Sequence, residues 1–179
     1  SDYAYIEGYM VTSSTAKPAA IAVIEQAKAA GVKVALSLSD PAIVEFFHDG
    51  LLEIVGDGVD LIFCNEAEAL AFTKEPTIAA AAAALKQHTK AYAITRGAQS
   101  TLVFDGEQDF EVLADTVQAV DTNGAGDMFA GAFLAALKQG AKFPDATAFA
   151  NRAAAVVVSQ FGPRLKPEQY AELKSELVF

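Results

Sequence analysis

Apolar residues follow two alternating rhythms along this chain: short β-branched runs, and longer segments with helical spacing. Ala4–Ile6 reads as a short strand. Thr15–Ala30 reads as a helix that Ser13, Ser14 or Thr15 caps, with Pro18 in the first turn and Gly31 as the stop. VKVALSLS (32–39) reads as a strand, Asp40–Pro41 as a turn, and Pro41–Phe47 as the start of a helix. Positions 48–58 receive no element. VDLIFCN (59–65) is a buried-strand run, and Glu66–Thr73 follows as a short helix. EPTIAAAAAALKQH (75–88) reads as a helix, because alanine is the best helix former and Pro76 sits near its start. AYAIT (91–95) is a strand. STLVFD (100–105) and DFEVLA (109–114) form a hairpin. Gly124–Gln139, Pro144–Gln160 and Pro167–Glu176 close the chain as three helices.

Strands that alternate with helices predict an α/β fold: a mainly parallel sheet flanked by helices on both faces. No linker or internal repeat interrupts the pattern, so residues 1–179 are expected to form a single α/β domain. In such sheets ligands collect beyond the carboxyl ends of the strands. The segments there are SLSDP (37–41), CNEAE (64–68), TRGAQ (95–99) and DTNGAGD (121–127).

Composition narrows the chemistry. Hydrophobic residues make up 53% and charged residues 20%, which suits a folded globular chain. The formal net charge is −10 and no Lys/Arg run occurs, which argues against nucleic acid and anionic membranes as partners. Cys64 is the single cysteine, expected as inert core in a reduced, cytoplasmic setting. His48 and His88 are expected on the surface or in loops, and no zinc spacing is present. Phe129 and Phe133, four apart, are expected to pack in the core. The same is expected of Phe161. The opening SDYAYIEGYM has neither a basic n-region nor a long apolar run, so no signal peptide or membrane span is expected.

DTNGAGDMFAGAFLAAL (121–137) places Gly124, Ala125 and Gly126 at a helix start. Helix N-termini carry unpaired N–H donors and a partial positive charge, so this backbone suits an anion. Asp127 in the first turn would accept a proton from a nucleophile attacking that anion. A dinucleotide-binding loop needs glycine where Phe129 stands, and Gly-Lys, required by a Walker-type loop, is absent.

DTNGAGDMFAGAFL resembles the C-terminal signature of the ribokinase-like (PfkB-type) carbohydrate and nucleoside kinases. CNEAEA (64–69) resembles the family's N-x-x-E motif, AITRGAQST (93–101) its T-x-G nucleotide segment, and ANRAAAVVVSQFG (150–162) its Asn-containing helix beside the adenine. All four occur in family order. The resemblance implies ATP and magnesium (Mg2+) as cofactors and assigns roles by position. Asp127 would be the general base, and the amides of Gly124, Ala125 and Gly126 the anion hole. Asn65 and Glu68 would organise Mg2+ through water. Thr95, Arg96, Gly97 and Thr122 would line the nucleotide, and Asn151 would lie near the adenine. Asp121 stands where some members hold a monovalent cation such as potassium (K+).

Two departures stand out. Ser37 replaces an asparagine common in the family, and Ser100 replaces a usual glycine of the T-x-G loop. Family members are also longer. The resemblance implies that the N-terminal strands, the lid and most acceptor contacts lie outside this chain, which would then self-associate through exposed surface or be marginally stable. YIEGYMVTSS (5–14) and LSLSDPAIVEFF (36–47) resemble adenosine-kinase-like members. The implied reaction is therefore γ-phosphate transfer to a nucleoside, adenosine favoured. A sugar kinase of the same family and an inactive nucleotide-binding fragment are the alternatives.

Overall fold

The computed structural model describes residues 1–177. They form two compact units. The first runs Ser1–Thr95 and includes Asp105–Glu107; the second comprises Arg96–Phe104 and the chain from Gln108 onward.

In the first unit, β1 (Tyr3–Glu7), β2 (Lys33–Ser37), β3 (Leu61–Asn65) and β4 (Tyr92–Thr95) pair in chain order, all parallel. Each crossover carries helix: α1 (Ala16–Ala29), then α2 (Pro41–Phe46) with α3 (His48–Val55), then α4 (Glu66–Thr73) with α5 (Ile78–Leu85). This is the mainly parallel, helix-flanked arrangement that the alternating pattern predicts. Parallel strands covered on both faces need apolar residues on both faces. Val34–Leu36, Leu61–Cys64 and Tyr92–Ile94 are accordingly buried without a break. The register aligns Glu7 with Ser37, and Asn65 with Thr95. The candidate residues of this unit therefore end adjacent strands.

The helix starts follow local chemistry. Asp40 caps α2 by accepting from the Ala42 amide at 2.7 Å, and Thr77 caps α5 through Ala80. Ser13 takes the Ala16 amide at the entry to α1. Gly31 ends α1 with φ +69°, as expected from the sequence. The unassigned stretch 48–58 holds a whole helix, α3. Its sequence, HDGLLEIV, conceals it because Asp-Gly reads as a turn. The interior glycine answers a packing need: a Cβ on Gly50 would come within 2.5 Å of Val11 Cγ2. The helix expected over 75–88 contracts to Ile78–Leu85, since Thr77 is its cap and 86–89 turn into β4.

In the second unit, β5 (Ser100–Phe104) and β6 (Asp109–Leu113) form the expected antiparallel hairpin. α6 (Ala125–Lys138), α7 (Phe143–Val158) and α8 (Pro167–Glu176) follow. α6 and α7 pack through Phe133, whose ring stacks on Phe129 at 5.9 Å and meets Phe143 edge-on at 5.2 Å. Both Phe129 and Phe133 are buried, as their spacing predicts.

Gly8 opens the turn after β1, and a Cβ there would lie 2.6 Å from the Ser37 carbonyl oxygen. Gly8→Ala must push apart the ends of β1 and β2. The expected loss is about 1–3 kcal/mol in urea unfolding, and an unchanged midpoint would show that this approach can relax without cost.

Candidate functional site

The first unit supplies Asn65, Glu68 and Thr95. Asn65 ends β3 and caps α4. Its Oδ1 accepts from the Glu68 amide at 2.9 Å, while the Glu68 carboxylate accepts from the Asn65 amide at 2.9 Å and from Asn65 Nδ2 at 2.6 Å. This is a capping box, so the N-x-x-E spacing is first a rule for starting a helix. Glu68 is only 5% exposed. Burial raises its pKa to about 7; the Asn65 amide opposes this, and the charges of Asp40 and Glu7 add to it. Thr95 lies in register beside Asn65, its hydroxyl 3.5 Å from the Cys64 carbonyl. Cys64 is buried and its thiol pKa is pushed up by burial, in keeping with an inert core residue.

Ser37 Oγ accepts from the Ser39 amide. Ser39 adopts φ +72° and donates to Glu7 Oε2 at 2.9 Å. The serine departure thus serves a tight local turn. Both histidines are half-buried: His48 opens α3, with Nε2 2.9 Å from the Phe72 carbonyl, while His88 lies in the turn after α5, as expected of a loop residue, and meets the Phe72 ring edge-on. Both rings contact Phe72, a packing that no sequence motif at the isolated histidines signals.

The second unit supplies the rest. Gly124 caps α6 in the left-handed region at φ +78°, and a Cβ there would strike Pro163 at 2.6 Å. Only glycine meets both demands. The Ala125 amide donates to the Thr122 carbonyl at 3.3 Å, so one of the three expected donors is already used. The amides of Gly124, Gly126 and Asp127 have no hydrogen bond among the described residues. Gly126 is exposed, and a Cβ there would meet nothing within 4 Å. Asp127 is exposed in the first turn and pairs with no described residue. Asp121 fastens the loop: its Oδ1 accepts from Asn123 and its Oδ2 from Gly162, both at 3.0 Å. These bonds hold its carboxyl below the usual range. Thr122 is exposed.

Arg96 is committed locally. Its guanidinium donates to Ser100 Oγ, Glu111 Oε1 and Gln99 Oε1 at 3.1–3.2 Å, and Ser100 donates to Glu111 at 2.7 Å. It shapes the turn in which Gly97 takes φ +59°. Ser100, 1% exposed, closes that network where a glycine could not. Asn151, 8% exposed, accepts from the Thr101 hydroxyl at 2.8 Å and donates to the Leu113 carbonyl at 3.2 Å. Its amide therefore ties α7 to both hairpin strands. Phe161, expected in the core, is instead 85% exposed, in the turn where Gly162 takes φ +89°.

Two measurements follow. Between about pH 4.5 and 7 the folded chain holds a proton on Glu68 that the unfolded chain releases, so stability falls as pH rises through that window. From pH 5 to 8 in metal-free buffer, wild type should lose roughly 2–3 kcal/mol more than Glu68→Gln; parallel pH profiles would refute the raised pKa. Thr101→Val strands the Asn151 carbonyl oxygen and should cost about 1–3 kcal/mol, much of it recovered in Thr101→Val/Asn151→Leu. A double variant showing the full cost of both singles would deny this coupling.

The family model described as pfkB family carbohydrate kinase matches residues 1–169. An adenosine kinase of Schizophyllum commune is 32% identical over 181 residues, covering 90% of this chain and 52% of its own length. A ribokinase of Haemophilus influenzae is 33% identical, covering 76% and 44%. The crystal structure of adenosine kinase from Sinorhizobium meliloti superposes with a TM-score of 0.91 at 31% identity, covering 98% of this chain and 54% of that one. The chain spans about half the length of the relatives it matches. With its fold and nearly its whole length accounted for by one family, the chain belongs to the pfkB family of carbohydrate kinases.

Proposed function

We propose that this chain is the nucleotide-binding and catalytic portion of a kinase that moves the γ-phosphate of ATP to a hydroxyl of a nucleoside, adenosine favoured. The observation that carries the reading is the start of α6: amides on Gly124 and Gly126 with no hydrogen bond among the described residues, and an exposed carboxylate on Asp127 one residue on. Phosphoryl transfer asks for positioning and charge stabilisation more than covalent chemistry, and fixed backbone dipoles provide both. In this reading the amides of Gly124, Gly126 and Asp127 bear the charge on the transferred group. Ala125 contributes as far as its bond to Thr122 loosens. Asp127 takes the proton from the acceptor hydroxyl. Thr95, Gly97 and Thr122 border the nucleotide, while Arg96 and Asn151 act by holding its walls.

Among the described residues no three His, Cys, Asp or Glu side chains converge as a metal cluster. That fits Mg2+, which keeps its waters and leans on phosphates rather than on a protein cage. Glu68 and Asn65 would hold those waters. The metal, when bound, neutralises phosphate charge. Each Asp121 oxygen accepts one backbone N–H and retains a lone pair for K+, a role that a potassium-dependent rate would support. Among the described residues no helix is long and apolar enough to cross a membrane; a cytoplasmic setting is part of this proposal.

The ribokinase match favours a second reading, a sugar acceptor. Full-length protein assayed with adenosine, inosine, ribose and fructose separates the two; turnover of sugars alone would reject the nucleoside. Asp127→Asn should lower kcat by about 10²–10⁴-fold with ATP binding retained, and Gly126→Val should weaken ATP binding itself. Full activity in Asp127→Asn would remove the assigned base.

A further inference from the structure

The chain contains three asparagines: Asn65, Asn123 and Asn151. Two of them have both ends of the side-chain amide engaged. Asn65 bonds Glu68 through Oδ1 and Nδ2, and Asn151 bonds Thr101 and Leu113. Asn123 differs in each respect that matters to amide chemistry. It is exposed, its side-chain amide has no hydrogen bond among the described residues, and glycine follows it.

The backbone on its carboxyl side is equally open to reaction. The Gly124 amide donates to no described residue. Gly124 has no Cβ to crowd an approaching carbonyl carbon, and its φ of +78° is one that glycine holds without strain. Asn123 is anchored through its backbone alone, where its amide donates to Asp121 Oδ1 at 3.0 Å. The exposed side chain is left to change rotamer.

These conditions allow the Asn123 amide to be lost. The Gly124 nitrogen gives its proton to solvent and attacks Asn123 Cγ. An N–Cγ bond forms, the Cγ–Nδ2 bond breaks, and ammonia leaves with a proton returned by solvent. Water then opens the cyclic imide. Cleavage of the new N–Cγ bond leaves aspartate. Cleavage of the original peptide C–N bond leaves isoaspartate, whose main chain is one methylene longer. Water is the only co-reactant. The start of α6 favours the first step, because the deprotonated nitrogen and the tetrahedral oxyanion carry negative charge at the positive end of a helix. The property that suits the Gly124 amide to a phosphoryl group also suits it to attack its neighbour.

We propose that Asn123–Gly124 is a site of spontaneous deamidation, and that an anion bound at the start of α6 suppresses it by occupying the Gly124 amide. The deamidation stands on the geometry of the loop; its suppression rests on the kinase reading. Conversion places a carboxylate beside the candidate anion site, so an idle site ages faster than an occupied one.

The test is peptide mapping by mass spectrometry, with isoaspartate quantified, after incubation of the full-length protein at pH 8 and 37 °C. Without ligand, Asn123 should convert to aspartate and isoaspartate at least about ten-fold faster than Asn65 or Asn151, which react only after their bonds open. Asn123→Gln, which would have to close a larger ring, should show no conversion there. With Mg·ATP at about ten times its Kd, conversion in wild type should slow by at least about five-fold. Asn123→Asp, which matches one product, should weaken ATP binding by at least about five-fold. If Asn123 persists in the folded protein while the same segment converts as a free peptide, the loop forbids the attack and the proposal is overturned. Equal rates at all three asparagines, which report global unfolding, would overturn it too. Unchanged affinity in Asn123→Asp, or conversion indifferent to bound ATP, would overturn the coupling to the anion site. Failure of ATP to bind at all would remove the kinase reading, while the ligand-free conversion still decides the deamidation.

Discussion

At position 124 the chain has no alternative to glycine, and the candidate anion site is arranged around that fact. The left-handed φ turns the backbone into α6, and the absence of a Cβ lets Pro163 close against the turn. Asp121 reinforces the approach by binding the Gly162 amide. A helix start that would otherwise fray is thus held from two sides by the turn after α7. Donors fixed in this way need little reorganisation when charge appears, which is the physical basis of preorganised stabilisation.

The elements were largely legible because their causes are local. Gly31 and Gly140 stop α1 and α6, and both take positive φ; Asp40, read as a turn, and Asn65, read as the end of a strand, prove to be the caps of α2 and α4. α3 was not legible, because its Gly50 exists for the sake of Val11, a residue 39 positions earlier that no local pattern reveals. The site shows the same divide. Gly124, Gly126 and Asp127 could be placed at a helix start from sequence. The capture of the Ala125 amide by Thr122 could not, since it depends on how the loop folds back. Asn151 and Arg96 have spacings that fit nucleotide contacts, but their hydrogen-bond partners are Thr101, Leu113 and Glu111. Polar side chains on a hairpin compete for partners in ways that spacing does not record.

The first unit is polarised along its strands. Serine, asparagine and threonine gather where β2, β3 and β4 end, while lysine gathers where they begin. Parallel topology enforces this separation, because every crossover returns the chain to the same starting edge.

The reciprocal bonds between Asn65 and Glu68 start α4, and under the proposed function the same pair would also handle a bound phosphate. A lesion at either residue in a living cell would then lower the amount of protein before any assay saw a change in turnover, since a loss of one or two kcal/mol of stability alters abundance several-fold. Inheritance at these two positions would be screened by quality control as much as by catalysis. A defect recorded there as lost activity would have to be normalised to folded protein before it said anything about chemistry.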